Sequence, residues 1–314
     1  MEKLFAILIS LTLIFNAAGA LAQLEVQEFP AIEDMYSMLD LTDPYRTVIS
    51  GLFRQSLEIA QAQREFYVYI GSTNHQQEPN VTLIPDADVD PVEFLEASGW
   101  KEIADEEGLI LLIAVPATGE WDVQTDIDYL NELWTVSHVR NWYNCQKHNG
   151  YMAAYGDGAT LGQMWAMQRV TPQKLVSFAT FGDFEVEKAY MDEVNAIETR
   201  VEGVTVADIP MPCWMIIPEM TESIMDVVDY WNSANDVAEE VLFSDNATAI
   251  YSARNNGIDS LINEQSFIAQ TRYTVAQDAD DYANAARTGD VWDFLSSFIR
   301  PVGYANNELR PARS

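Results

Sequence analysis

Apolar residues in this 314-residue chain fall into two rhythms, short unbroken runs and spaced stripes. Residues 108–116, GLILLIAVP, are a continuous apolar run closed by glycine and proline, the pattern of a strand buried on both faces. Residues 64–70 are rich in β-formers and end at Gly71, and residues 81–84 are stopped by Pro85, so both read as strands. Residues 91–106 predict a helix opened by Pro91. Residues 126–139 predict another, with Ile127, Leu130, Leu133, Trp134 and Val136 on its buried side. The alternation continues with strands at 152–155, 175–180 and 213–217, helices at 161–167 and 223–234, and strand character over 266–275. Residues 290–299 close as an amphipathic helix with Val291, Trp292, Leu295 and Phe298 on one side. Strands alternating with helices predict an α/β fold: a central, mostly parallel sheet with helices on both faces, as a single domain over 64–314. Residues 23–63 read as a polar, partly helical lead-in, with apolar residues at helical spacing over 35–41 and 48–60. No internal repeat, linker or low-complexity tract interrupts the chain.

The first 22 residues have the form of a secretory signal peptide: Lys3, an apolar stretch over 4–15, and Ala20-Leu21-Ala22 before Gln23. The apolar stretch is shorter than the about 20 residues a membrane span needs. The expectation is a secreted protein, extracellular or periplasmic, with no membrane segment after cleavage. The formal net charge is −32. Such a surface repels nucleic acid and anionic lipid, because binding either requires clustered Lys and Arg. Aromatic residues make up 11% of the chain, which separates it from disordered acidic sequences. Export permits a disulfide between the two cysteines, Cys145 and Cys213, worth about 4 kcal/mol in loop entropy. Neither cysteine has the spacing of a zinc site, and the sequence predicts no metal centre and no cofactor. Asn80-Val81-Thr82 and Asn246-Ala247-Thr248 match the glycosylation acceptor, a pattern common by chance.

The candidate chemistry gathers at Tyr155-Gly156-Asp157-Gly158-Ala159. A strand leads into this small-residue turn and a helix leads out, which is the setting of a hydrolase nucleophile elbow. Its tip residue, normally serine, is here Asp157.

Several stretches carry a family resemblance. Phe94-Leu95-Glu96-Ala97-Ser98-Gly99-Trp100, Pro116 with Gly119-Glu120-Trp121-Asp122, and Asp126 with Tyr129 and Leu130 stand in order ahead of the elbow. Val228-Asp229-Tyr230-Trp231-Asn232-Ser233-Ala234-Asn235 and Trp292-Asp293-Phe294-Leu295 follow it. In order and spacing the chain resembles secreted α/β-hydrolases of the polyhydroxybutyrate depolymerase and feruloyl esterase type, from about residue 64 to the C-terminus. The resemblance implies the α/β-hydrolase fold, carboxylic ester hydrolysis, and a polyester or feruloylated polysaccharide as ligand. It also implies a serine, an acid and a histidine in that order, with backbone donors for the oxyanion. Each part departs here. Asp157 stands at the elbow. Thr221 stands at the acid position, with Glu219 and Glu222 beside it. The histidine expected within 278–282 is absent, and His75, His138 and His148 all precede the elbow. The oxyanion loop reads Pro85-Asp86-Ala87-Asp88, with a proline that lacks the N–H donor and two acids that repel an oxyanion.

Other readings stay open at this level. Asp157 is the nucleophile type of hydrolases that open carbon–halogen bonds or epoxides, but no downstream histidine is there to activate the second-step water. Asp157 with Glu219 or Glu222 suits an acid–base couple, and with Asp86 and Asp88 a calcium site, though calcium takes six or more oxygens. Trp121, Trp134, Trp165 and Trp231 suit either a ligand platform or core packing. The expectation is a catalytically defective relative with a binding or scaffolding role, against a working esterase built on unorthodox residues.

Overall fold

In a computed structural model the residues described are 24–29, 49–72, 78–139, 143, 145–146, 149–169, 175–199, 202–237, 241–244, 248–252, 269–299 and 310–311. The apolar runs become the centre of one sheet. In chain order the strands are β1 (Val26–Glu28), β2 (Gly51–Ile59), β3 (Ala62–Ile70), β4 (Asn80–Ile84), β5 (Ile110–Ala114), β6 (Gly150–Tyr155), β7 (Ser177–Phe181), β8 (Cys213–Ile217), β9 (Val241–Ser244), β10 (Thr248–Ser252), β11 (Gln270–Val275), β12 (Phe298–Ile299) and β13 (Arg310–Pro311). The helices are α1 (Pro91–Ala97), α2 (Trp100–Glu107), α3 (Val123–Trp134), α4 (Gly158–Met167), α5 (Lys188–Asn195), α6 (Glu222–Ala234) and α7 (Ala285–Ser296). Eleven strands pair in the order β1-β2-β3-β5-β4-β6-β7-β8-β11-β10-β9. The run β5-β4-β6-β7-β8-β11 is parallel throughout, while β2, β3, β9 and β10 add antiparallel pairs at the flanks.

Every residue of β4, β5, β6 and β7 is buried, as expected of strands covered on both faces. Alternation along each strand divides the core. Met152 and Ala154 of β6 face one layer with α3, α4, α5 and α6. Tyr151, Ala153 and Tyr155 face the other, with α1, α2 and α7. The chain leaves β4 through α1 and α2 on one face and leaves β6 through α4 on the opposite face. The ends of β4 and β6 are therefore the point where successive connections diverge, the switch point at which open α/β sheets place their ligand sites.

A buried ion pair ties this edge together. Arg64 of β3 is 7% exposed and Asp126 of α3 is 1% exposed. Arg64 Nη2 lies 2.7 Å from Asp126 Oδ1, and its guanidinium sits 4.1 Å from the centre of the Tyr129 ring. Asp126 Oδ2 accepts the Asp122 N–H at 2.8 Å, while the Tyr129 hydroxyl donates to the Glu65 carbonyl at 2.6 Å. The pair locks β3 to the start of α3, the helix that ends the loop after β5.

Several sequence expectations change. Residues 48–60 were expected at helical spacing, but Gly51–Ile59 is a strand paired residue for residue with β3. The spacing of Phe53 and Leu57 is four, which places two side chains on one face of a helix and equally of a strand. The turn joining the strands, Ala60-Gln61, has φ of 49° and 71°. That is the left-handed two-residue hairpin conformation, carried here without its usual Asn-Gly signal. The single helix expected over 91–106 is two, α1 and α2, because Gly99 adopts φ 81° and a Cβ there would meet Ala285 Cβ at 2.8 Å. Residues 35–41, the signal segment 1–22, and the start of the 266–275 strand lie outside the described residues. No helix among the described residues is long and apolar enough to cross a membrane.

The disulfide that export permits is not formed: Cys145 and Cys213 are free and buried, and burial drives both thiols far above their ordinary range. Gln146, next to Cys145, donates its N–H to the Glu78 carbonyl just ahead of β4. That point is three strand positions from β8, roughly 14 Å at about 4.8 Å per strand. A disulfide spans Cα atoms no more than about 7 Å apart.

Breaking the buried pair leaves an uncompensated charge in the core. Asp126→Asn or Arg64→Met alone is expected to lower stability by about 3–5 kcal/mol in urea unfolding. The double replacement Arg64→Met with Asp126→Leu is expected to lose much less. Equal losses in all three would show that side-chain shape, not charge pairing, holds this edge.

Candidate functional site

The switch point between β4 and β6 is built from two strand ends. β6 finishes at Tyr155 and α4 begins at Gly158. Between them Gly156 has φ +56°, whereas Asp157 has an ordinary right-handed conformation, φ −67° and ψ −23°. A nucleophile elbow holds its reactive side chain on the strained corner residue. Here the left-handed corner is Gly156, one residue before the position read from sequence, and it has no side chain to present. The Gly156 N–H is bonded to the Phe181 carbonyl of β7 at 2.9 Å.

The space above Gly156 is not empty. A Cβ built there would stand 2.0 Å from Asp86 Oδ2 and 2.6 Å from Asp86 Cγ. The Asp86 carboxyl thus fills the volume where a corner side chain would project. Gly158 is equally constrained, because a Cβ there would lie 2.7 Å from the Pro85 carbonyl oxygen and 2.8 Å from that of Ile84. The end of β4 presses directly on the first turn of α4. The Trp121 indole N–H donates to the Pro85 carbonyl at 2.9 Å and fastens the same loop from the other side.

Asp157 is exposed, yet its Oδ1 accepts the Ala87 N–H at 2.8 Å. Partial desolvation of its carboxyl, reinforced by the hydrogen-bonding and charged Asp86 carboxyl, pushes its pKa up to about 6; the Ala87 and Gly158 N–H groups oppose the rise.

The remaining elbow residues are structural. Tyr155 is buried, stacks on Phe181 at 4.2 Å, and accepts the Trp100 indole N–H at 2.8 Å. Ala159 is buried in the core. At the acid position, Thr221 is the N-cap of α6, where its hydroxyl accepts the Ile224 N–H at 3.2 Å. Glu222 is the exposed acid of that helix's first turn, and Glu219 is exposed ahead of it. The structure joins Asp86 to Asp157, while Thr221 is engaged with its own helix.

The loop after β11, where the resemblance implies a histidine, is closed by other means. Arg287 of α7 pairs with Asp278, Nη2 to Oδ1 at 2.7 Å, and holds that carboxyl below its usual range. Tyr282 packs against Phe94 with ring centres 5.4 Å apart. Asp280 Cβ lies 3.5 Å from where a Gly182 Cβ would stand, beside Gly156. His75 and His148 lie outside the described residues, and His138 is in the π-helical turn Thr135–Val139 that follows α3. Among the described residues no set of three or more His, Cys, Asp or Glu side chains converges as a metal site. Trp165 and Trp231 are fully buried in the core, bonded to Asn131 at 3.0 Å and to Gln163 at 2.8 Å. They are packing residues, not a platform.

Sequence reasoning missed the role of Asp86 because the contact joins residues 70 apart and depends on a missing Cβ. The available signal was that Pro85-Asp86 and Gly156-Asp157 both follow the C-terminal ends of strands and so lie on one rim of the sheet.

The raised carboxyl sets a pH dependence of stability. Asp157 holds its proton in the folded state up to about pH 6, against an ordinary value of 3.8 when unfolded. The folded state therefore binds more protons between these values, and stability falls as pH rises through that window. Asp157→Asn removes the effect. Its stability relative to wild type is expected to improve progressively from pH 4 to 6.5 in urea titrations, and a difference that stays flat across this range would contradict the assigned environment.

No protein-family model matches the chain, and no curated protein sequence matches it. Solved structures do. An acetyl xylan esterase from Aspergillus awamori superposes with a TM-score of 0.56 at 8% identity, covering 77% of this chain and 99% of its own. The LpqC poly(3-hydroxybutyrate) depolymerase from Bordetella parapertussis gives 0.47 at 10% identity over 78% of this chain and 90% of its own. A feruloyl esterase module from Clostridium thermocellum gives 0.44 at 12% identity over 68% and 82%. The first of these similarities, with the strand order, shows that the chain has the α/β-hydrolase fold.

Proposed function

We propose that this protein is a secreted member of the esterase-like α/β-hydrolases that no longer performs serine-ester chemistry and instead binds an ester-bearing polymer at the β4–β6 switch point. The observation that carries this reading is the corner itself: Gly156 holds the left-handed position, and the Asp86 carboxyl occupies the space of the side chain it lacks. Acyl transfer needs a nucleophile at that corner, a base beside it and donors for the oxyanion. The corner has no nucleophile. The Ala87 N–H, in the loop that would supply donors, is taken by Asp157. Two carboxyls stand where negative charge would develop, and no histidine follows residue 157 in the sequence. The sequence resemblance supplies the ligand class, a polyester or a feruloylated polysaccharide, and the signal-like N-terminus supplies the expected location.

A second reading has one observation in its favour. A carboxyl with a pKa of about 6 beside a second carboxyl is also how an acid–base pair is arranged. A hydrolase using Asp86 and Asp157 would depend on both.

Hydrolysis of p-nitrophenyl acetate separates the two. Wild type is expected to show no turnover above buffer, and Asp157→Ala no change; turnover that disappears in Asp157→Ala would overturn the defective reading. Neither Gly156→Ser nor Asp157→Ser alone is expected to restore activity, since the first collides with Asp86 and both lack a base.

Binding is tested by calorimetry against feruloylated oligosaccharides and hydroxybutyrate oligomers. Heat of binding with one of them is expected. Silence with both would remove the ligand class.

A further inference from the structure

Residues 24–29 form a strap laid along one edge of the sheet. Its strand, β1, pairs in parallel with β2, Val26 opposite Leu52 and Glu28 opposite Arg54. Glu28 also pairs with Arg54, Oε1 to Nη2 at 2.9 Å. The two ends of the strap are fixed on opposite faces. Phe29 meets the rings of Phe53 and Tyr143 edge-on, at 5.1 and 5.4 Å, in the layer of α3 to α6. Leu24 packs against the layer of α1, α2 and α7. Its N–H donates to Glu96 Oε1 of α1 at 2.7 Å. The chain is therefore held from the Leu24 nitrogen onward.

The bond at which the sequence predicts leader removal, Ala22–Gln23, immediately precedes the peptide bond whose nitrogen Glu96 holds. Peptidases act on extended, untethered chain, so this cut comes before the strap docks, and docking then shields Leu24 from trimming. The chain that results begins at Gln23, which lies ahead of the described residues and carries an α-amine and a side-chain amide. These groups are joined through Cα, Cβ and Cγ, so attack of one on the other closes a five-membered ring within a single residue.

We propose that Gln23 is a modification site: once the leader is removed, its α-nitrogen attacks its own side-chain carbonyl carbon, and the mature protein begins with a cyclic lactam, pyroglutamate. The bond from the α-nitrogen to Cδ forms, and the bond from Cδ to Nε2 breaks. The proton lost by the amine goes to the leaving nitrogen, and ammonia departs. No oxidant or second substrate is required. The reacting form is the neutral amine, and an ordinary α-amino pKa of about 7.7–8.0 supplies it near neutral pH. The Glu96 carboxylate beside Leu24 favours the ammonium and slows the attack. It does not prevent it, because loss of ammonia is one-way and the open form drains into the ring. Closure removes the terminal positive charge and the free amine on which aminopeptidases act. The inference rests on the secreted reading proposed above, and within it on cleavage before Gln23.

Mass spectrometry of the exported protein tests it. The full chain, residues 1–314, is expressed in a host that exports it, held at neutral pH for about a week, and acetylated at free amines before digestion. The N-terminal peptide is expected to begin at residue 23, to lack the label, and to be lighter than the open glutamine form by one ammonia. Gln23→Asn shortens the side chain by one methylene, so closure would need a four-membered ring. That variant is expected to begin at the same residue with a labelled amine. A wild-type peptide that begins at Gln23 and carries the label would overturn ring closure and leave leader removal standing. An unlabelled end in Gln23→Asn would overturn it too, as would a start at any other residue beyond 22. Retention of residues 1–22 would overturn both the modification and the secreted reading.

Discussion

The arrangement of this protein depends on how closely the end of β4 approaches the start of α4. Two missing Cβ atoms permit it. At Gly158 the carbonyls of Ile84 and Pro85 lie within 2.8 Å of where a side chain would begin, and at Gly156 a carboxylate oxygen lies within 2.0 Å. Any side chain at Gly158 would push the helix off the strand, and any at Gly156 would expel Asp86. The same two glycines close the elbow and determine what occupies it.

From this contact the chemistry follows. An elbow is a device for presenting one side chain on a strained corner, above backbone donors. Here the strain falls on a residue with no side chain, and a neighbouring loop inserts its own carboxyl. The donor of that loop, Ala87 N–H, is consumed by the adjacent Asp157. The strand ends thus present two carboxyl groups, Asp86 over the corner and Asp157 beside it. The fold is that of an α/β-hydrolase, and its corner is a glycine covered by the Asp86 carboxyl.

The flanking structure keeps the contact in register. The Arg64–Asp126 pair, roofed by Tyr129, holds the start of α3 against β3 and β5. That fixes the loop bearing Trp121, whose indole grips Pro85. On the opposite side, Arg287 closes the β11 loop over Asp278. The loops after β4, β5 and β11 are thereby each fastened at the switch-point end of the sheet.

The order of strands and helices was legible from the sequence because it is written in local hydrophobic rhythm. The unbroken run 108–116 had the length and the flanking glycine and proline of a doubly covered strand, and the stripes of α3 and α7 had the spacing of one-sided helices. The same logic marked the elbow as strand, turn and helix. Where spacing is ambiguous, as at Phe53 and Leu57, only pairing with β3 decided for a strand. Which cysteines, tryptophans and acids meet was not legible, because contact between residues 70 or more positions apart depends on sheet order. The sequence determined that a carboxylate, and no serine, lies beside the corner. Tertiary structure alone decided that the corner is Gly156 and that Asp86 fills it, because backbone handedness and the absence of a Cβ take effect only when two distant strand ends are brought together.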